Sequence, residues 1–556
     1  MKDSLFFHKR IQEVRKLVRQ HQFSIAEESL LGLLSASSVP DDAKVAVLKE
    51  LYQINLKVGK KYKAIGYLES LALELGEESA CWLELFKLAE SLGDTSKAVK
   101  ALRKYVEREP NCSPDIYFNL AFFLKSLGRF EESLGMYMAA LSRGISDPEE
   151  VYTNIGVIHA GLRREDRAIE NYRKALELNK EYIPALLNLA GLSEESGGKE
   201  EAVSLYQEVL SINNENSLAL SRMAHLYVAD TEADFRIKGI SELLNKSSLA
   251  DKEREELMFA LGKLYDDCQL YDEAFSCVTQ ANEIGRKRVD RYVYGQQEKL
   301  VDSLIDVFSE DWFSGHHSKS SATPVFICGM FRSGSTLLEQ ILCGHGSILA
   351  SGERDFIPRQ VESMGVGYPH SVLSKGVDYF DGFSKEYLSE FEEGSCIERL
   401  ITDKRPDNFL HVGLIKTVFP EAKVIWTRRN LLDNCISIYF QQFSEKLDYA
   451  IDLEGIAHFY SEHVRLMEYW ERIFPCDIYR LQYEDLVLDP KIVIGGVLNF
   501  LGLPWDSKCL KFSGRSNYVK TASIWQVREP LYLSSVGRSD NYLEYLSPLK
   551  LERFLR

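Results

Sequence analysis

The sequence contains no C-x-x-C pair, although it has ten cysteines among its 556 residues. Structural zinc sites and the disulfide frameworks of small secreted domains use paired or closely spaced cysteines. The scattered cysteines therefore predict neither kind of site, and a reducing compartment is the simpler interpretation.

The chain also lacks an excess of positive charge and any long apolar run. It has 67 Lys and Arg against 83 Asp and Glu, for a net charge of −16. This balance disfavours a general affinity for nucleic acid or anionic membranes, although a local basic pocket is compatible with it. No run approaches the length of a transmembrane helix, and residues 1–10 lack the apolar core of a signal peptide. We therefore expect a cytoplasmic protein with no nucleic-acid and no membrane partner.

A periodic pattern occupies the first half of the chain, where prolines are few and helical patterns follow one another. Small residues recur at intervals of 34 or 35 positions, at Ala64, Ala98, Ser133, Ala168 and Ala202. A tyrosine follows each of the last three by four positions, at Tyr137, Tyr172 and Tyr206. Small residues let paired helices approach closely, and aromatic residues fill the gap to the next pair.

This periodicity resembles the tetratricopeptide repeat, a pair of antiparallel helices. The resemblance implies an α-solenoid over residues 1–290, degenerate at 210–255, with a protein or peptide partner on its concave face. Amphipathic helices in an unrelated bundle are the alternative. His159 and His225 stand alone in helical patterns, and we expect them to be packing or surface residues.

Strand and helix patterns alternate in the second half of the chain, as is typical of a parallel sheet with helices on both faces. Residues 291–322 are expected to form a connecting helix and a linker, and 323–556 an α/β domain. Its candidate strands are 325–328, 348–350, 400–402, 423–427 and 477–481. Charged residues follow four of these strands, namely Arg332, Glu353, Lys404 and Arg429. Because ligands of such sheets bind beyond the carboxyl ends of the strands, these four residues predict a convergent site.

The first candidate strand leads into a glycine loop and then a helix, which is the layout of a phosphate-binding loop. The spacing from Gly329 to Thr336 fits G-x-x-x-x-G-K-[ST], except that Ser335 stands at the lysine position. The missing lysine argues against ordinary ATPase or GTPase chemistry, and Arg332 supplies positive charge instead. A plain turn without a ligand is the alternative.

Residues 323–540 resemble sulfotransferases that use 3′-phosphoadenosine 5′-phosphosulfate (PAPS), above all the tyrosylprotein branch and fusions with tetratricopeptide repeats. Residues 332–336 match the family's 5′-phosphosulfate loop, and residues 429–437 match its 3′-phosphate element. Residues 351–353, with Ile357-Pro358-Arg359 after them, match the family's Gly-Glu segment, and residues 403–406 match its Lys-Asp-Pro segment. Looser matches are Tyr483-Glu484-Asp485-Leu486, 500–504, 526–530 and 534–538.

The resemblance implies a role for each matched residue. The implied cofactor-binding residues are Arg332, Ser333, Gly334, Ser335, Thr336, Arg429, Ser437, Tyr483 and Arg538. The implied catalytic residues are Glu353 as the general base, with Lys404 and Arg332 stabilising charge on the leaving oxygen. No metal is expected, because a sulfuryl group carries less charge than a phosphoryl group. His345 is the alternative base, and Arg428 is the neighbour with which Arg429 could be confused.

Three functions fit these patterns. The leading one is sulfuryl transfer from PAPS to an acceptor hydroxyl on a protein tyrosine, a carbohydrate or a small molecule. Ser351 replaces the cysteine that precedes Gly-Glu in the tyrosylprotein enzymes, and together with the repeats this leaves the acceptor open. The alternatives are an interaction scaffold with a non-catalytic sulfotransferase-like domain, and a P-loop phosphotransferase.

Overall fold

A computed structural model describes residues 2–35, 39–75, 79–246, 248–391, 399–512, 525, 527–528, 531 and 535–554. The chain divides into two compact units, Met1–Leu189 and Ala190–Arg556. Among the helices in these ranges, none combines the length and the apolar composition that crossing a bilayer requires.

The first unit consists of consecutive helices. They are α1 (Lys2–Arg19), α2 (Phe23–Leu34), α3 (Asp41–Lys57), α4 (Lys61–Leu75), α5 (Ser79–Ser91), α6 (Thr95–Arg108), α7 (Pro114–Ser126), α8 (Phe130–Ser142), α9 (Pro148–Gly161) and α10 (Glu165–Leu178). Local signals start several of them: the Asp94 side chain accepts the backbone N–H of Lys97, and Ser113 caps α7 just before Pro114.

The periodic small and aromatic residues of the first unit pack against each other as the sequence predicts. Tyr137 and Tyr172 are buried, and Ser133 is buried with its hydroxyl donating to the Ala121 carbonyl at 2.6 Å. A Cβ on Gly156 would lie 2.4 Å from the Tyr172 ring, so only glycine admits that ring between α9 and α10. The period thus records a steric requirement of paired helices.

The second unit begins with further helices. They are α11 (Ile183–Ser196, which starts in the first unit), α12 (Lys199–Ile212), α13 (Ser217–Leu226), α14 (Phe235–Leu244), α15 (Asp251–Asp267), α16 (Tyr271–Gly285), α17 (Tyr294–Val307) and α18 (Glu310–Phe313). In the segment where the repeat pattern degenerates, α13 and α14 have only 10 residues each. An irregular stretch, 227–234, joins them.

A five-stranded parallel sheet follows, formed by β1 (Val325–Gly329), β2 (Ile348–Ala350), β3 (Leu400–Lys404), β4 (Lys423–Arg428) and β5 (Ile478–Gln482). The strand order is β2-β3-β1-β4-β5. Val325 pairs with Thr402 of β3 on one side and with Lys423 of β4 on the other. Because β1 lies between β3 and β4, the loop after β1 is flanked by the carboxyl ends of both neighbours.

Helices cover both faces of the sheet. They are α19 (Ser335–Leu342), α20 (Phe356–Ser363), α21 (Val377–Ser389), α22 (Val412–Val418), α23 (Leu431–Tyr439), α24 (Leu453–Ile473), α25 (Tyr483–Leu488), α26 (Pro490–Phe500) and α27 (Leu543–Leu546). Alternate residues of β1 enter two cores. Val325 and Ile327 pack in the core of α19, and Phe326 and Cys328 in the core of Trp426 and α24.

The predicted fold class is confirmed: helical repeats are followed by an α/β domain with a central parallel sheet. All five predicted strands are present, and each bound differs by at most two residues from the predicted one. The boundaries 1–290, 291–322 and 323–556 stay a prediction.

Candidate active site

The loop after β1 makes a tight turn. Gly334 has a φ of +94° and Arg332 a φ of +65°, both in the left-handed region. A Cβ on Gly334 would lie 2.5 Å from the Tyr483 ring. Position 334 therefore requires glycine for its conformation and for the close approach of that ring.

Ser333 fixes this loop to the neighbouring strand. Its buried hydroxyl donates to the Met330 carbonyl at 2.7 Å and lies 2.7 Å from the Thr427 hydroxyl of β4. Ser335 and Thr336, both buried, open α19, whose N-cap Gly334 offers no side chain to the first backbone N–H groups. Such N–H groups, together with the helix dipole, favour an anion.

Arg332, Arg429 and Ser437 form a phosphate cluster, named for the two predicted phosphate-binding elements that it joins. The Arg332 Nε donates to the Ser437 hydroxyl at 3.1 Å. The Arg429 Nη1 donates to the Arg332 carbonyl at 3.2 Å. Elements about 100 residues apart in sequence thus meet at the carboxyl edge of β1 and β4.

Arg429 is the most buried cation of this cluster, with 5% of its surface exposed. Its Nη2 donates to the Ser535 carbonyl at 2.5 Å, and its guanidinium lies 4.9 Å from the centre of the Tyr483 ring. Burial lowers its pKa, and among the described residues no group pairs with its Nε. A buried guanidinium with an unsatisfied donor suits an anionic ligand.

Residues 535–539 of the C-terminal segment contact the same cluster. The Tyr483 hydroxyl lies 2.8 Å from the Ser535 hydroxyl. The Asp433 carboxylate of α23 accepts the backbone N–H groups of Gly537 at 2.7 Å and Ser539 at 2.8 Å. These bonds hold Arg538, which lies between the two N–H groups, at the site. Of the matched C-terminal motifs, Gln526, Glu529, Pro530 and Ser534 lie outside the described residues.

Glu353 and Lys404 form a second group, the carboxylate–lysine pair. The Lys404 Nζ donates to the Glu353 carboxylate at 2.5 Å. The lysine side chain is 1% exposed and the glutamate side chain 33% exposed. Lys404 is the last residue of β3, and its backbone N–H donates to the Gly352 carbonyl at 3.0 Å.

Glu339 links this pair to the phosphate loop. Its carboxylate, on α19, accepts the Gly352 N–H at 3.1 Å and the Thr402 hydroxyl at 2.9 Å. Burial raises its pKa, while the nearby Lys404 lowers it. The buried carboxylate therefore ties the turn that carries Glu353 to the helix that begins at Ser335.

Asp403, the residue before Lys404 on β3, has a buried carboxyl. It accepts hydrogen bonds from the Tyr387 hydroxyl at 3.1 Å and from the Asn408 amide at 3.3 Å. Burial raises its pKa to about 7.

A cleft of about 1030 Å³ adjoins the phosphate cluster. Its lining includes eight of the predicted site residues: Arg332, Gly334, Ser335, Thr336, Arg429, Ser437, Tyr483 and Arg538. Ser333 lies beneath the loop, and within the described part of the chain Glu353 and Lys404 are not among the lining residues. The four charged residues that follow the strands therefore form two contact groups, of which one faces the cleft.

The repeat-like helices, which are α11 to α16 of the predicted repeat region 1–290, also contribute residues to the lining of the cleft. The sequence did not indicate this. Among them are Arg222 and His225 of α13 and Lys263 and Asp266 of α15. Burial, and then the charges of Lys263, Arg222 and Arg332, lower the pKa of His225 to about 3. His225 is thus a cleft residue. The sequence did not indicate this, because His225 stands alone in a helical pattern.

The alternative residues have other contacts. One His345 ring nitrogen lies 3.0 Å from the Pro504 carbonyl, and the other accepts the Ser347 N–H at 3.2 Å. Both nitrogens of His345 are therefore engaged in local structure. The Arg428 guanidinium lies 4.9 Å from the centre of the Trp426 ring, and Arg428 does not line the cleft in the described structure.

Two family models match the chain. The sulfotransferase family matches residues 324–507, and a tetratricopeptide repeat matches residues 149–182.

Two curated relatives align with parts of this chain. An "Uncharacterized protein" of Aquifex aeolicus (strain VF5) is 32% identical over 400 residues, which cover 69% of this chain and 52% of the relative. The chain thus spans about half the length of that relative. "Protein-tyrosine sulfotransferase 1" of Danio rerio is 27% identical over 199 residues, covering 34% of this chain and 55% of the relative.

Among solved structures, the sulfotransferase domain of the Synechococcus PCC 7002 olefin synthase matches with 19% identity and a TM-score of 0.32. The match covers 40% of this chain and 89% of that one. On the sequence matches and the parallel sheet together, this chain carries a sulfotransferase-family domain together with tetratricopeptide repeats.

Proposed function

We propose that the protein transfers a sulfuryl group from PAPS to an acceptor hydroxyl. The observation that carries the proposal is the phosphate cluster. The Arg332–Ser437 hydrogen bond at 3.1 Å joins the loop matched to the 5′-phosphosulfate with the element matched to the 3′-phosphate. PAPS and its product, adenosine 3′,5′-bisphosphate (PAP), bear phosphate groups at both of those positions.

The chemistry of the lining residues fits such a donor. The buried Arg429 has an unsatisfied Nε among the described residues, and the N-terminus of α19 faces the same cleft. Ligand clefts commonly measure about 300–1,000 Å³, so a cleft of about 1030 Å³ has room for a nucleotide and part of an acceptor. In this proposal the 5′ end is held by Arg332 and residues 333–336. The 3′ end and the nucleoside are held by Arg429, Ser437, Tyr483 and Arg538.

The proposed chemistry uses positioning and charge stabilisation. When bound, PAPS supplies the sulfuryl group, whose S–O bond to the nucleotide breaks as its bond to the acceptor oxygen forms. Glu353 accepts the proton of the acceptor hydroxyl as a general base. Lys404, hydrogen bonded to Glu353 at 2.5 Å, orients that carboxylate, and Lys404 and Arg332 stabilise negative charge on the leaving oxygen.

The acceptor is an alcohol or phenol of a protein tyrosine, a carbohydrate or a small molecule. In the same proposal the repeats bind a protein or peptide that recruits or presents the acceptor, as repeat arrays do through their extended surfaces. Incubation with labelled PAPS and a lysate, followed by separation of protein, carbohydrate and small molecules, identifies the class that takes up label.

Calorimetry with PAP and with ATP tests the proposal. We expect PAP to bind more tightly than ATP, because only PAP carries the 3′-phosphate that Arg429 and Ser437 are proposed to bind. Equal or tighter binding of ATP would contradict the proposal and favour a P-loop phosphotransferase. Tight PAP binding without transfer to any class of acceptor would leave a nucleotide-binding scaffold.

A further inference from the structure

Arg538 is held in the cleft by a residue of a repeat-like helix. Its Nη2 donates to the Asp266 carboxylate of α15 at 2.8 Å. The same carboxylate accepts the Tyr542 hydroxyl, and the Arg538 guanidinium lies 4.9 Å from the centre of the Phe440 ring. Both members of the ion pair are largely buried, with side chains 22% and 20% exposed.

The other side of Arg538 belongs to the phosphate cluster. Asp433 holds the backbone on both sides of position 538, and Asp433 lies one helical turn before Ser437 on α23. The charge of Arg538 is close enough to contribute to the lowered pKa of Arg429. Arg538 therefore lies at the end of the cleft where the element from Arg429 to Ser437 is.

On the basis of the proposed function, we infer that Asp266 is a positioning residue for the 3′-phosphate of the donor, acting through Arg538. The repeat-like helix α15 thereby completes the donor site, in addition to any role of the repeats in recruiting a partner.

The chemistry of the arginine fork explains why an acidic partner assists anion binding here. A guanidinium has five N–H donors in a rigid plane, so one edge can bind Asp266 while another faces a phosphate. An arginine side chain left without a partner samples many rotamers, and fixing one of them costs free energy on binding. Asp266 and the Phe440 ring fix the fork before the ligand arrives.

The test compares two nucleotides on the full-length protein by calorimetry. PAP carries the 3′-phosphate, and adenosine 5′-monophosphate (AMP) has the same nucleoside and 5′-phosphate without it. For Asp266→Asn we expect PAP to bind about tenfold more weakly, the scale of one charge-assisted contact, while AMP binding changes by less than about twofold. A general loss of structure would weaken both ligands together.

Asp272→Asn is the matched control. Asp272, on α16, accepts the Tyr545 hydroxyl at 2.7 Å and so also ties the C-terminal segment to a repeat-like helix, but it does not contact Arg538. We expect this variant to keep the PAP-to-AMP preference of the parent. An Asp266→Asn variant with the parent's preference, or an equal loss in Asp272→Asn, would overturn the inference.

A second variant and a second comparison keep the test decisive. Asp266→Glu keeps the charge but moves the carboxylate by one methylene, so it should also reduce the preference for PAP over AMP. An unchanged preference in this variant counts against the inference even if Asp266→Asn does not fold. The proposed function is judged separately: it falls if the parent binds AMP as tightly as PAP. If the parent prefers PAP and Arg429→Ala abolishes that preference while Asp266→Asn keeps it, this inference alone falls.

Discussion

The phosphate cluster and the carboxylate–lysine pair lie at the same edge of the sheet but are held in different ways. Arg429 donates to backbone carbonyls at 332 and 535, so the chain itself fixes its position. Glu353 and Lys404 bond to each other, and the glutamate side chain keeps 33% of its surface exposed. The first group lines the cleft, and among the described residues the second does not.

Under the proposed function, this difference fits separate roles for the two groups, one in nucleotide binding and one in the chemical step. A cation fixed by backbone carbonyls is arranged before the ligand binds, which suits nucleotide binding. A carboxylate that is one-third exposed, beside a buried lysine, is reachable by a second substrate, which suits proton transfer at an acceptor. Variants of the two groups should therefore separate binding from chemistry.

The largest effect is expected for Glu353→Gln. The amide keeps the size of the side chain but accepts a proton poorly, so sulfuryl transfer should fall by about 10²–10⁴-fold, while PAP affinity changes little. The measurement is label transfer from PAPS to the acceptor that takes up label, beside calorimetry with PAP. Asp355→Asn, at an exposed carboxylate paired with Arg405, is the control.

Near-normal transfer by the Gln variant would remove Glu353 as the base. The next candidate would then be His345, whose ring nitrogens are engaged in local contacts, because a pKa of about 3 makes the cleft residue His225 a poor proton acceptor.

Arg429→Ala should show the opposite division. Removing this charged donor is expected to cost about 2 kcal/mol of PAP binding, or roughly 30-fold in affinity, chiefly through the 3′-phosphate. Calorimetry with PAP and AMP isolates that part. Arg428→Ala, one residue earlier and stacked near Trp426, should leave the preference intact. A retained PAP preference in Arg429→Ala would remove Arg429 from the site.

Asp403 makes the stability of the fold depend on pH. Its folded-state pKa of about 7 exceeds the ordinary value of 3.8, so between about pH 4 and 7 the folded protein holds a proton that the unfolded chain has lost. Its contribution to the free energy of unfolding is thus largest at low pH and falls by up to about 1.4 kcal/mol per unit as the pH rises through that window.

Asp403→Asn removes this titration. The free energy of unfolding of the variant minus that of the parent should therefore increase between about pH 4 and 7 and level off above. Urea unfolding at pH 5, 6, 7 and 8 measures the difference, with the exposed Asp485→Asn as the control. A difference that is constant over this range would show that Asp403 does not titrate there.

The smallest effect is expected for Ser437→Ala, within the phosphate cluster. The variant loses the hydroxyl that accepts from Arg332 and that is matched to the 3′-phosphate, so PAP affinity should fall by about 1 kcal/mol. Transfer at saturating PAPS should change little. Ser384→Ala, at a buried hydroxyl that donates to the Asp381 carbonyl at 3.0 Å, is the control. A loss confined to transfer would move Ser437 from the binding group to the chemistry.

The sequence by itself determined the elements and the loop. Apolar runs of strand length predicted all five strands, and the bounds of β2 were predicted without error. The spacing from Gly329 to Thr336 located the turn, because a strand, a glycine with positive φ and a helix N-terminus are local features. The period of 34 or 35 residues predicted the helical repeats, since it records which residues must be small where helices pair.

Only the tertiary structure decided which charged residues meet. Strand order brought Arg332 to Ser437, 105 residues away, but left Glu353 with Lys404 in a separate pair. The packing of helices brought Asp266 to Arg538, 272 residues away, and His225 into the cleft. A charged residue on a helix has the same sequence pattern whether it faces water or a ligand, because local propensity depends on the helix and the electrostatic role depends on the neighbours that the fold supplies.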